Sequence, residues 1–465
     1  MGSSSTTEHQ GGTALVPADA LRRAGRRFGT PAYVTSVAAL EEAAAELAAA
    51  FPDPWLRAFS LKANDVPAIV ARLASLGLDA NVVSRGERAA ARAAGVADDR
   101  VTLEGIGKND GDLRAAVRAA AAGVPLRWVA VESVEELAAL AELGDRAGLG
   151  RRGRPALDIL LRLNPDVTPE THAGLAVGRG NAKFGMTETE LTAALAGLTN
   201  DGPIRARGIH LHVGSQLGSV DAWRDAVRRG LALLALLGSR PGFDTFDVGG
   251  GFPVGDDGTV PTPARFAREL DALLAALPAD RRPARLAVEP GRFLVARAGW
   301  LVASVLHVRE RNAAQRTEAA EATDAAGRAV QAPDRQAADD ARVEGASTDR
   351  IVVLDAGMTE LIRPALYGAH HRIVALTSLG RVVDPGNARP DVSRARVDGP
   401  VCESTDSFDL HDLPSLRRGD LVAIADAGAY AASMAMTYNG RARPPQVLLE
   451  RDGSLVLGRR RGGTR

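Results

Sequence analysis

Cysteine is almost missing: Cys402 is the only one in 465 residues. That excludes an intrachain disulfide and sets the expectation of a reducing, cytoplasmic location. Aromatic residues are few, at 4%, and no apolar run approaches the ~20 residues of a bilayer span, so no membrane partner is expected. Neither sign of charge is in excess, since Lys plus Arg and Asp plus Glu are both 57, and nucleic acid is not expected as a partner. The start Met1-Gly2-Ser3-Ser4-Ser5-Thr6 formally fits a myristoylation pattern but reads as a Ser-rich tail, and no basic stretch followed by an apolar run precedes the first element.

Lysine is the most telling shortage. Only Lys62, Lys108 and Lys183 occur among the 57 basic residues; the rest are arginine. A nucleotide bias that favours arginine wherever any cation serves would leave lysine enriched where arginine fails. Arginine cannot form an imine with a carbonyl, whereas a deprotonated lysine amine can. Lys62 is the first candidate for that chemistry. Lys108 and Lys183 read better as structural partners of nearby carboxylates or carbonyls.

What is present describes an ordinary globular chain, 45% hydrophobic and 25% charged, long enough for one domain of about 250 residues and a smaller second one. From about residue 57 to 291, short β-rich runs alternate with stretches of helical period. Eight strands are expected: Arg57–Leu61, Asp79–Val83, Arg100–Leu103, Arg127–Val131, Leu157–Leu163, Ala206–Leu211, Thr245–Val248 and Arg285–Val288. Eight βα units of this size predict a closed (β/α)8 TIM-like barrel with its active site at the C-terminal strand ends. After residue 300 the texture becomes β-rich, with strands expected at Trp300–Arg309, Arg350–Leu354, Arg372–Thr377, Asp420–Ala425 and Gln446–Glu450. The expected domains are a flexible N-terminal tail and lead-in to the β-domain over residues 1–25, an α/β barrel over 26–291, and a C-terminal β-domain over 292–465. Residues 311–349, whose only branched aliphatics are Val330 and Val343, read as a disordered insertion.

Three clusters at barrel strand ends carry chemistry. Lys62 leaves the first strand, where the bland reading is a lysine snorkelling at the rim. The triplet Gly249, Gly250 and Gly251 follows the seventh, where backbone N–H groups can approach a phosphate, although a glycine triplet alone is more often a tight turn. Glu289-Pro290-Gly291-Arg292 follows the eighth and adds a carboxylate and a cation. Together they describe a pocket for a phosphorylated ring cofactor, in which the glutamate can hold a pyridine nitrogen protonated. His210 and His212, at i and i+2, offer a rival metal reading. No other histidine lies at a barrel strand end to complete a set, so no metal is expected, and His212 is read as lying against the cofactor ring.

The ordered set of segments resembles the fold-type III pyridoxal-phosphate (PLP) decarboxylases, whose architecture is alanine racemase-like, and within them the branch acting on meso-diaminopimelate. The segments are Phe28-Gly29-Thr30-Pro31, Leu61-Lys62-Ala63-Asn64, Ser84-Arg85-Gly86-Glu87, Arg162-Leu163-Asn164-Pro165 with His172, Lys183-Phe184-Gly185, His212-Val213-Gly214-Ser215-Gln216, the glycine triplet and Glu289-Pro290-Gly291-Arg292. In the β-domain they are Asp355-Ala356-Gly357-Met358, Arg363-Pro364-Ala365-Leu366-Tyr367, Cys402-Glu403-Ser404-Thr405-Asp406, Gly428-Ala429-Tyr430 and Tyr438-Asn439-Gly440-Arg441. Any one is weak; the series is specific. Thr405 stands where the family usually has glycine.

The resemblance implies that Lys62 carries PLP as a Schiff base, that His212 stacks on its ring and that Glu289 faces its nitrogen. It implies a phosphate site of Ser215, Gly249, Gly250, Gly251, Gly291, Arg292 and Tyr430, and a catalytic Cys402. The substrate's far carboxylate is expected near Arg292, Arg363, Tyr367 and Tyr430, and its far ammonium near Glu403, with Cys402 and Glu403 reaching in from a second subunit of a homodimer. The expected reaction is conversion of meso-diaminopimelate to L-lysine and CO2. A decarboxylase of another amino acid, including a carrier-bound one in a specialised pathway, a racemase of similar fold, and a non-catalytic PLP-binding relative remain as alternatives.

Overall fold

The computed structural model describes residues 16–151, 153–178, 182–199, 201–255, 258–310, 350–383 and 391–462. The segment read from sequence as a disordered insertion, 311–349, lies outside the described residues.

Eight parallel strands close into a barrel: β2 (Leu56–Ser60), β3 (Asp79–Val82), β4 (Val101–Leu103), β5 (Trp128–Val131), β6 (Leu157–Arg162), β7 (Ile204–His210), β8 (Thr245–Asp247) and β9 (Arg285–Val288). Closure is made where β9 pairs with β2, Ala287 opposite Leu56 and Val288 opposite Arg57. All eight expected strands are present with ends moved by a residue or two. Their residues are buried on both faces, as parallel strands under a helical layer must be: β5 and β8 are buried throughout.

The helical layer is set by its caps and its apolar faces. Ser84 accepts from Glu87 N–H and Ser133 from Glu136 N–H, and full capping boxes start the helices after Asn109 and Thr187. The helix Asp221–Leu237 lies directly on the barrel because Gly230 has no side chain; a Cβ there would come 2.6 Å from the Phe246 ring. Beside it Trp223, Phe266 and Phe252 pack edge to face at 5.1 and 5.2 Å, each pair adding ~1 kcal/mol beyond simple burial.

The second domain is a nine-stranded mixed sheet built around the long strand β10 (Gly299–Glu310). Four of its strands match the expected segments: β10, β11 (Arg350–Leu354), β17 (Leu421–Ile424) and β18 (Gln446–Leu449). The expected Arg372–Thr377 strand is broken into β12 (Ile373–Ala375) and β13 (Thr377–Ser378).

The N-terminal region corrects the expected domain boundary at residue 26. The strand β1 (Ala32–Ser36) pairs antiparallel with β10 and parallel with β18, so it belongs to the β-domain sheet and not to the barrel. It is buried at all five residues, with Tyr33 Oη donating to Glu360 O at 2.6 Å and Gln446 Nε2 to Thr35 Oγ1 at 2.7 Å. The stretch expected as tail and lead-in also contains the start of a helix, α1 (Ala18–Phe28), which buries Leu21 and Ala24 against this sheet. The chain thus passes through the β-domain, forms the barrel, and returns.

Candidate active site

Lys62 leaves β2 in a single 3-10 turn, Leu61–Ala63. Its two sister lysines are accounted for elsewhere: Lys108 pairs with Glu136 at 3.0 Å and donates to Gly105 O, and Lys183 lies 5.4 Å from the Phe184 ring. Among the described residues, Lys62 Nζ has neither a hydrogen bond nor an ion pair. The β-domain fixes the backbone beneath it, because Ser433 Oγ donates to Lys62 O at 2.9 Å and Tyr430 N–H to Ala63 O at 2.8 Å.

The glycine triplet follows β8, two strands round the barrel from the strand that carries this lysine. Gly249 and Gly251 have φ of +68° and +112°, and a Cβ at Gly251 would come 2.8 Å from Gly214 O. At Gly250 a Cβ would collide with Glu289 O. Only glycine fits this bend, which leaves a cradle lined by backbone. His212 Nδ1 accepts from Gly250 N–H at 3.2 Å. That bond fixes the proton on Nε2 and spends the Nδ1 lone pair that a metal would need. Desolvation and the nearby Lys62 and Arg162 cations hold the His212 pKa well below the usual histidine value, so the ring is neutral.

Arg292 is buried, donates to Ser215 Oγ at 3.0 Å, and lies with its guanidinium 4.8 Å from the Tyr430 ring centre. Tyr430 is held at φ +56°, a strained value for a non-glycine residue of the kind found at functional sites. Arg292 Nη1 is buried with no hydrogen-bond partner among the described residues. Arg363 Nε is in the same condition, and burial together with the Arg292 charge pulls the Arg363 pKa down to about 10. Two neighbouring cations with spare buried donors suit an anion.

Below the mouth, Glu289 is buried at the end of β9 and accepts from Asn81 Nδ2 at 2.5 Å. His210 Nε2 lies 3.4 Å from Glu289 and 3.3 Å from Glu104, and Asp247 at the end of β8 couples to both acids. Burial and then Glu289 push Glu104 up to about 8; burial and then Glu289 and Glu104 push Asp247 well above the carboxylate range. Burial lowers His210 to about 4 against the opposing pull of Glu104. At neutral pH Glu104 is therefore mostly protonated and His210 is neutral, while the same acids favour the protonated form of Asp247. Glu104, His210 and Glu289 are also the one three-residue group among the described residues whose ligating atoms lie within 4.8 Å of one another.

The proton count gives a test on the cofactor-free protein. A carboxyl raised in the folded state stabilises below its unfolded pKa of 4.5, and that contribution drains as pH rises toward about 8. His210, lowered from 6.5 to about 4, has the opposite slope, confined to lower pH. Glu104→Gln should therefore flatten the fall in melting temperature between pH 6.5 and 8, giving a variant about 1–2 °C steadier than its parent over that window. Equal slopes by scanning calorimetry would contradict the buried proton on Glu104.

The structure thus gathers Lys62, His212, Ser215, Gly249, Gly250, Gly251, Glu289, Gly291, Arg292 and Tyr430 at one barrel mouth. Arg363 and Tyr367, on the short helix α11 (Arg363–Tyr367), meet them there: Arg363 senses Arg292 and Tyr430, and Tyr367 packs against His172 at 5.7 Å. Cys402 and Glu403 do not join this cluster within the chain. Both are exposed on a separate loop, where Glu403 accepts from Tyr438 Oη at 2.7 Å and Cys402 Sγ lies 3.9 Å from Asn439 Nδ2. Sequence reasoning missed Asn81, Glu104 and Asp247 as companions of Glu289. The available signal was three buried-strand positions, at or next to C-terminal ends, filled by acids or an amide.

The lysine, the glycine cradle with its spare arginine donors, and a buried carboxylate at the end of the strand between them define a site for a phosphorylated pyridine aldehyde. The comparisons agree: a sequence profile described as "Pyridoxal-dependent decarboxylase, pyridoxal binding domain" matches residues 37–296. The chain belongs to this pyridoxal-dependent decarboxylase family; it is an amino-acid decarboxylase and its cofactor is PLP. It is 30% identical to diaminopimelate decarboxylase from Aquifex aeolicus over 98% of this chain and 94% of that protein, and 31% identical to the one from Zymomonas mobilis over 97% and 94%. Its structure is similar to that of Helicobacter pylori diaminopimelate decarboxylase complexed with L-lysine, with a TM-score of 0.78, 27% identity and coverage of 95% and 97%. No helix among the described residues is long and apolar enough to cross a membrane.

Proposed function

We propose that the chain decarboxylates meso-diaminopimelate at one of its two amino-acid ends, giving L-lysine and CO2. The observation that carries this reading is the pair of guanidiniums of Arg292 and Arg363, each with one buried donor nitrogen that lacks an acceptor among the described residues. A phosphate answers one; a substrate with a second carboxylate answers the other. The relatives' shared name supports the same substrate.

In this reading Lys62 Nζ holds the cofactor and moves protons to and from the substrate amine. His212, neutral, lies against the ring, and Glu289 faces the pyridine nitrogen, steadied by Asn81. Ser215, Gly249, Gly250, Gly251, Gly291, Arg292 and Tyr430 hold the phosphate. Bound there, PLP supplies an electron sink for the pair left when CO2 departs. Arg363, Tyr367, Tyr430 and Arg292 receive the far carboxylate, and Glu403 the far ammonium. Cys402 Sγ delivers a proton to the carbon that has lost CO2. The exposure of Cys402 and Glu403, away from their own chain's barrel mouth, supports a homodimer in which each subunit completes its partner's site. The exposed free thiol suits a cytoplasmic setting.

Carbon dioxide release from meso-diaminopimelate, ornithine, arginine and lysine tests the reading. The expected result is a kcat/KM for meso-diaminopimelate at least ~10²-fold above the others, with L-lysine as the product. Preference for a monocarboxylic amino acid overturns the substrate.

A further inference from the structure

We propose that His371 is the positioning residue that aims Arg363 at the substrate's far carboxylate, and that it does so because it is neutral. The inference rests on the role given to Arg363 above.

His371 is buried just beyond α11, between Arg363 and the end of β17. Its Nδ1 lies 2.9 Å from Ala425 O and its Nε2 lies 3.2 Å from Arg363 Nη1. A backbone carbonyl only accepts, so Nδ1 carries the proton. A guanidinium only donates, so Nε2 must present its lone pair. Both ring nitrogens are satisfied in one tautomer and neither could be in the other. A protonated ring would turn a donor toward Arg363, and burial together with the Arg363 charge keeps the ring neutral, its pKa lowered to about 4.

The chemical type of this partner matters. A buried arginine is usually steadied by a carboxylate, which orients it and cancels its charge. An imidazole lone pair orients the fork and leaves the charge whole. Arg363 therefore keeps its charge, opposed by Arg292 and favoured by the Asp426 carboxylate, with Nε still lacking an acceptor among the described residues. The planar guanidinium discriminates carboxylates through its angle as much as its charge, so the residue fixing that angle governs specificity without touching substrate. His370, the next residue back, turns away and stacks on His411 at 5.1 Å.

The test compares two ligands of the PLP-loaded enzyme by titration calorimetry. L-lysine carries the far carboxylate; 1,5-diaminopentane is the same chain without it. Arg363→Ala should weaken L-lysine about 100-fold and leave 1,5-diaminopentane within about threefold. His371→Ala should weaken L-lysine about tenfold with the same selectivity, and raise KM for meso-diaminopimelate more than it lowers kcat. His371→Gln, which keeps a neutral acceptor, should restore most of the L-lysine affinity. His371→Glu, which supplies a charge, should bind L-lysine more weakly than His371→Gln, and it decides the matter even if the alanine variant fails to fold. If Arg363→Ala is selective but His371→Ala weakens both ligands alike or neither, or if His371→Glu matches His371→Gln, the role of His371 is overturned and that of Arg363 stands. If Arg363→Ala itself shows no selectivity, the assignment of Arg363 falls and this inference with it.

Discussion

Replacing Lys62 by alanine is expected to lower kcat by ~10³-fold or more and to remove the visible absorbance of an imine-bound cofactor. Two separate jobs are lost together: the covalent tether, and the amine that moves protons at the substrate, which alone contributes ~10²–10⁴-fold. Lys62→Arg should fail as badly, because a guanidinium keeps the charge and cannot form the bond. The remaining lysines cannot substitute: Lys108 is committed to Glu136 and Gly105, and Lys183 to Phe184. The fold should be untouched, since it is the backbone carbonyl of residue 62, not its amine, that Ser433 holds. Absorbance spectra and steady-state kinetics on the purified variant check both halves. Retention of the coloured cofactor with turnover would refute the role of Lys62.

The second large effect is expected at Glu289. Glu289→Gln keeps the shape and the Asn81 neighbour but removes the carboxyl proposed to face the cofactor's nitrogen. The ring then loses the partner that keeps it electron-hungry, and kcat should fall by ~10²–10³-fold, the scale of removing one preorganised electrostatic contact. Substrate binding should change far less, because Arg292 and Arg363 are untouched. A fall in kcat with KM held within about threefold is the expected signature. Equal losses in both would place Glu289 in substrate binding.

Much of this site was legible in the sequence because its parts are short and sit where barrel strands end. Parallel strands buried on both faces read as apolar runs, and each run points at its own last residue: Lys62, His212, Gly249 and Glu289 all emerged that way. What was not legible depends on contacts across long stretches of chain. Asn81 meets Glu289 across 208 residues, and no local pattern announces the pair. The doublet His210 and His212 suggested two equivalent ligands, yet one faces a nest of acids and the other a glycine N–H. The β1 strand, Ala32–Ser36, was hidden for a related reason. It is a short run after Pro31 whose partners Gly299–Val302 and Gln446–Leu449 lie hundreds of residues downstream, so it was counted within the barrel domain that begins at residue 26. His371 was among the histidines passed over because they lie away from the barrel strand ends; only the Ala425 carbonyl and the Arg363 fork give it a role.

The decisive measurement uses the scarcity of lysine. Borohydride reduction of the PLP-loaded protein fixes an imine-linked cofactor permanently to the residue that carries it, and peptide mass mapping then locates it. The account predicts a single pyridoxyl adduct on the peptide containing Lys62. An adduct on the peptide of Lys108 or Lys183, or no adduct on protein that decarboxylates its substrate, would contradict it.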